Sequence, residues 1–206
     1  MNKSIQMILV LSLIALISGL LLGGLNEMTK ETIENNILKF KKIPAVADIY
    51  QTVNGTSTAQ ERLALEENLL AEKRYLDLED GSQMLFFVIR KEGVPYAITL
   101  ENSGKGFGGD LGVMTGFELE TGNLVGIGIT TLSETPGLGT RVKESIFRNQ
   151  FSNLPAGQNL AVKKDGGSVD AITGATVSSR AVCQAINQSI EAFKKHQASI
   201  KTASGQ

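Results

Sequence analysis

Residues Asp170-Ala171-Ile172-Thr173-Gly174-Ala175-Thr176 run straight into a helix-like stretch, residues 177–195. A glycine between two hydroxyl residues at the mouth of a helix suits a phosphate group. Gly174 lets the backbone turn tightly and adopt positive φ. The free N–H groups of the first helical turn and the positive end of the helix dipole then attract an anion. Thr176 places a hydroxyl where that phosphate would sit, and Thr173 either orients the phosphate or caps the helix. Ser178 and Ser179 add backbone and hydroxyl donors within the first turn. The same residues also describe an ordinary helix start with Thr173 or Thr176 as N-cap. Taken by itself, the segment favours that plainer reading.

Two glycine-rich segments precede it. Lys105 is followed by Gly106-Phe107-Gly108-Gly109, which reads either as a tight inter-strand loop or as a place where backbone closely approaches a ligand beside an aromatic ring. No strand–Gly-x-Gly-x-x-Gly–helix unit surrounds it, so it is not a dinucleotide fingerprint. Glu134-Thr135-Pro136-Gly137-Leu138-Gly139 contains Pro-Gly, a strong β-turn pair.

Together, and in this order, the three segments resemble the FMN-binding domain family. Within it they are most similar to the G subunits of Rnf-type (Rsx) electron-transport complexes. The C subunit of the sodium-translocating NADH:quinone oxidoreductase is the sister group. The resemblance implies FMN joined covalently through its 5′-phosphate to Thr176, so the chain would be a flavoprotein and, in form, a phosphoprotein. Thr173, Gly174, Ala175 and Ser178 would surround the phosphate, with Arg141 a further cation for it or a solvated surface residue. Phe107 and Gly108 would lie against the flavin ring. Glu134, Thr135, Gly137 and Leu138 would cover one face and tune the ring through hydrogen bonds. A Mg²⁺-dependent flavin transferase would make the bond on the outer face of the membrane. Asp170, which repels an anion, would serve a metal or the modifying enzyme, or cap a turn. The partners implied are the other membrane and iron–sulfur subunits of the complex, which passes electrons between ferredoxin and NAD⁺ and translocates Na⁺ or H⁺. The chain would be an electron-carrying subunit rather than a complete enzyme. One departure stands out: relatives often place a His where this chain has Leu132. The single histidine, His196, reads as a solvated residue near the C-terminus. The rival readings are a membrane-tethered structural or assembly module and a flavin-based sensor.

The rest of the chain bounds these readings. At 206 residues there is room for one anchor and one modest domain. Residues 5–25 carry no charge, and at about 1.5 Å per helical residue they cross a hydrocarbon core of about 30 Å. A formal charge of −1, with no basic cluster beyond Lys39, Lys41 and Lys42, argues against nucleic acid as a partner. One cysteine, Cys183, excludes an intramolecular disulfide and a cysteine-ligated cluster. Electron carriage would then need an organic cofactor. A strict Lys/Arg count, Lys3 before the span against Lys30, Lys39, Lys41 and Lys42 after it, favours an outside N-terminus. The short leading segment and the resemblance favour the opposite: N-terminus in the cytoplasm and the domain on the outer (periplasmic) face of a bacterial or archaeal cytoplasmic membrane.

The expected organisation follows. Residues 1–4 form a cytoplasmic N-terminus, 5–25 a transmembrane helix, and 26–80 a helical stalk leading into the domain. Residues 81–196 form an FMN-binding domain and 197–206 a flexible tail. In the stalk, Ile33, Ile37 and Phe40 make an apolar stripe expected to pack on the domain, and Pro44 should end the helix. After a turn at Asn54-Gly55, residues 58–74 read as a helix bearing Leu63, Leu65, Leu69 and Leu70, with a change of structure at Asp80-Gly81. Strands are expected at 84–90, 94–101, 111–120 and 124–132, with turns at Glu92-Gly93 and 121–123 and a loop over 103–110. A short helix at 141–151 and a short strand at 160–164 follow. The fold class is α+β: a twisted, mainly antiparallel sheet flanked by helices.

Overall fold

A computed structural model describes residues 3–55, 59–79, 81–155 and 157–205. The chain divides into two compact units, Met1–Leu38 and Lys39–Gln206. The first is helix α1, Lys3–Ile37, in which no residue is buried. Its apolar part is long enough and uncharged enough to cross a membrane.

A π-helical turn, Leu38–Lys42, precedes α2, Ile43–Asn54. Pro44 therefore does not end the helical run. It occupies the first turn of α2, where its missing N–H is tolerated, and the wider π turn just before it accommodates the ring. Phe40 is exposed rather than packed on the domain. Helix α2 buries Ile43, Val46, Ala47 and Ile49 and stops at Gly55, whose φ is +91°. Helix α3, Ala59–Ala71, ends three residues before the expected boundary, because Lys73–Asp77 pairs as strand β1. Arg74 closes that helix from the strand, donating from Nη1 to the Ala71 carbonyl at 2.9 Å. Leu69 is buried; Thr58, the Leu63 side chain and Asp80 lie outside the described residues.

The sheet continues with β2 (Gln83–Lys91), β3 (Val94–Lys105), β4 (Asp110–Glu118) and β5 (Leu124–Thr131), in the order β1-β2-β3-β4-β5. Every neighbouring pair is antiparallel. Glu92 and Gly93 both take positive φ in the β2–β3 hairpin, as a type I′ turn requires. The expected loop 103–110 shrinks to 106–109. Residues 103–105 pair with Gly112, Leu111 and Asp110 instead. Helix α5, Thr176–Ser204, packs on one face of the sheet, where Phe193 stacks on Phe117 with ring centroids 4.6 Å apart. It continues well past the expected start of the tail because Ile200 and Ser204 are buried. Helix α2 packs on the other face. Two glycines permit both contacts: a Cβ on Gly104 would collide with the Ala181 carbonyl of α5, and one on Gly128 with the Ala45 carbonyl of α2.

Between β5 and α5 the expected single helix 141–151 is split into a 3₁₀ turn (Gly139–Lys143), the four-residue α4 (Ser145–Arg148) and a second 3₁₀ turn (Asn149–Phe151). The expected strand at 160–164 reduces to a bridge between Val162 and Val169 around a 3₁₀ turn, Lys163–Asp165. The α+β class, an antiparallel sheet flanked by helices after an apolar N-terminal helix, is otherwise as the sequence implies, with β1 an added strand.

Candidate functional site

Three chain segments converge at one end of the sheet. The first is the β3–β4 loop, closed by a hydrogen bond from the Gly106 N–H to the Gly109 carbonyl at 2.9 Å. It lies flat on the second segment. A Cβ on Gly106 would strike Glu134 Oε1, and one on Gly108 the Ser133 carbonyl. Glu134, 9% exposed, holds the loop down: its Oε1 accepts the Phe107 N–H at 2.8 Å. Phe107 is thereby presented outward, 79% exposed.

The second segment turns at Pro136-Gly137. Leu138 N–H donates to the Thr135 carbonyl at 3.2 Å, and Gly137 N–H to Thr140 Oγ1 at 2.9 Å. Gly139 then abuts the third segment. A Cβ there would sit 2.6 Å from Glu134 Oε2 and 2.7 Å from Ser178 Oγ.

In the third segment Gly174, at φ +81°, turns the chain into α5, with room for its bend beside Leu138. The N-cap is Ala175, and no side chain caps the first turn, so neither Thr173 nor Thr176 plays that part. Ser179 is committed internally: its Oγ accepts the Ile172 N–H and donates to the Ala175 carbonyl, each at 3.0 Å. It is not free to serve an anion. Ser178 is different. It is only 2% exposed, yet its hydroxyl has no hydrogen-bond partner among the described residues.

These segments enclose a cavity of about 490 Å³, within the ~300–1,000 Å³ range of small-molecule sites. Phe107, Glu134, Thr135 and Leu138 line one side; Gly174, Ala175, Thr176 and Ser178 line the other. Thr173, Gly108 and Gly137 shape the segments without lining the cavity. Gly139, Val177 and Lys164 complete the lining. Lys164 had no sequence signal, because the 3₁₀ turn that carries it reaches the site only through the fold. Arg141 pairs with Glu144 at 3.2 Å outside the cavity. Asp170 pairs with Lys163 at 2.7 Å and also lies outside. Leu132 lines a separate groove with Lys143 and Arg148. Below the site, a paired hydrogen bond from Arg180 holds the Asp165 carboxyl below its usual range. Burial pushes the Cys183 thiol up to about 11.

Uncapped N–H groups, a serine hydroxyl, a cation and an exposed aromatic face in one cavity suit a phosphorylated planar ligand. Residues 106–191 match the FMN-binding domain. The whole chain is similar to G subunits of ion-translocating oxidoreductase complexes. The one from Shewanella oneidensis is 27% identical over 97% of this chain and 93% of its own length. The one from Methanosarcina acetivorans is 30% identical over 55% of this chain, which spans 61% of that protein. The crystal structure of the C subunit of the Na⁺-translocating NADH-quinone reductase from Parabacteroides distasonis shares the fold. Its TM-score is 0.56 at 22% identity, covering 69% of this chain and 85% of that one.

Proposed function

We propose that this chain is the FMN-carrying, electron-transferring subunit of a membrane-bound ion-translocating oxidoreductase complex, with FMN held as a phosphoester on Thr176. One observation carries the reading. Three segments separated by dozens of residues meet around one cavity, and a threonine stands in it at the uncapped start of a long helix. Bound there, FMN would supply reversible storage of one or two electrons.

The chain's own residues do the holding. N–H groups of the first turn of α5 and the Ser178 hydroxyl receive the phosphate. Phe107, Leu138 and the 134–139 turn flank the ring, and Glu134 fixes the distance between the two covering loops. Attachment requires a flavin transferase with Mg²⁺ and flavin adenine dinucleotide. Thr176 Oγ forms a bond to the flavin-side phosphorus, the phosphorus–oxygen bond to AMP breaks, AMP leaves, and the hydroxyl proton passes to a base of the transferase. Residues 5–25 of α1 would span the membrane, and the FMN-binding domain, residues 81–196, would stand on the outer face. The remaining membrane and iron–sulfur subunits would exchange electrons with it on the route between ferredoxin and NAD⁺, coupled to Na⁺ or H⁺ movement.

The test is flavin fluorescence in a denaturing gel, with the full chain co-expressed with a flavin transferase. A fluorescent wild-type band and a dark Thr176→Val band are expected. A dark wild-type band, with the transferase active on another substrate, would leave a structural or non-covalent binding module.

A further inference from the structure

We infer that Lys164 is the counter-charge for the phosphate on Thr176. The assignment rests on the reading above and adds a residue to it. Glu134 and Lys164 are the charged side chains that line the cavity; Glu134 is engaged by the Phe107 N–H, and four more charged side chains beside the start of α5 are paired with one another. Lys163 Nζ is 2.7 Å from Asp170 Oδ1, and Arg180 grips Asp165 through Nε at 2.6 Å and Nη2 at 2.7 Å. Lys164, between the two pairs, makes no salt bridge among the described residues, and it lines the cavity with Thr176 and Ser178. After Arg180's hydrogen bond, its charge helps to hold the nearby Asp165 carboxyl below its usual range.

Its backbone is fixed. Asp165 N–H donates to the Val162 carbonyl at 2.8 Å, and Gly166 N–H to the Lys163 carbonyl at 3.1 Å. Gly167 is packed so closely on Ala161 that a Cβ there would strike its carbonyl. Arg180 stands one turn beyond Thr176 on α5, so its grip on Asp165 ties the lysine's turn to the helix whose first turn forms the site. Lys164 is itself exposed, and this turn holds it beside the first turn of α5. The uncapped first turn and Ser178, a residue 2% exposed whose hydroxyl makes no hydrogen bond among the described residues, independently mark the same end of the cavity as an anion site. Lysine serves as a point charge with rotatable donors, suited to a phosphodiester whose position is already set by a covalent bond.

Two measurements on the full chain in membranes decide it. The first is the rate of in-gel flavin labelling after the transferase is induced. Lys164→Met should label roughly tenfold more slowly, the loss expected for one charge-assisted hydrogen bond. Lys164→Arg should recover most of the rate, and Lys195→Met, an exposed change on the same helix, should match wild type. The second needs no variant at Lys164. Acylation of Lys164 by an amine-reactive reagent, read by mass spectrometry, should be slower in flavin-loaded protein than in Thr176→Val, with Lys195 unchanged. This second comparison stands even where Lys164→Met fails to fold. Wild-type labelling of folded Lys164→Met, or equal acylation with and without flavin, overturns the assignment. A dark wild-type band overturns the proposed function itself, and this assignment with it.

Discussion

A methyl group has no room at Gly139, whereas two residues earlier it has room but the wrong backbone. An added Cβ at 139 meets Glu134 Oε2 at 2.6 Å and Ser178 Oγ at 2.7 Å. Glu134 cannot retreat without releasing the Phe107 N–H, so Gly139→Ala should separate both covering loops from α5. We expect a loss of about 1–3 kcal/mol from overpacking, read from urea melts, together with loss of flavin labelling. Gly137→Ala is the contrasting control. Nothing lies within 4 Å of its Cβ, but its φ is +75°, so the cost is about 1–2 kcal/mol of backbone strain, with labelling lowered less than in Gly139→Ala. Equal labelling by both variants would show that Gly139 has no role in joining the segments. At this scale the three motifs named Thr176, Glu134 and Phe107, and the fold brings all three to one cavity. Ser179's commitment to the Ile172–Ala175 turn and Lys164's approach were not legible, since each depends on a partner that only the fold supplies.

Strands announced themselves through alternation and through Glu92-Gly93, where the turn chemistry admits few alternatives. Elements governed by tertiary contact did not. Pro44 reads as a stop because proline breaks helix interiors, and only the π turn before it reveals that it begins a new helix. Residues 73–74 continue a helical leucine pattern, yet pairing with Phe86 and Phe87 claims them for the sheet. Ser103 and Gly104 look like loop because they are small. In the structure smallness is what lets α5 approach, with Gly104 facing the Ala181 carbonyl. Gly104→Ala sets a side chain against backbone, which cannot swing aside as a side chain can. We therefore expect it to cost about 3 kcal/mol or more, seen as a lower urea midpoint at unchanged slope. A midpoint shift below that of Gly137→Ala would mean α5 lifts off the sheet without penalty, and the two-face packing account would fail.

The molecule joins a helix with no buried residue to a domain with its own two-sided core. Residues 39–206 form a compact unit with its own core, so that segment should fold in water by itself. That segment offers a clean reading of how α5 is seated. Cys183 faces the core from α5, and burial raises its thiol from 9.0 to about 11. Tyr96 is raised as well, by burial first and then by its hydrogen bond to Glu118. A raised acid is protonated in the folded chain while the unfolded chain has already lost its proton. Its contribution is therefore complete below pH 9 and is lost progressively as pH climbs from 9 to 11. Two units at about 1.4 kcal/mol each set the loss near 2–3 kcal/mol. Urea melts of the 39–206 segment across that window should show the decline, and Cys183→Ala should remove most of it, leaving the smaller slope from Tyr96. A decline of equal size in Cys183→Ala would place the pH sensitivity elsewhere and show that the thiol is not sealed between α5 and the sheet.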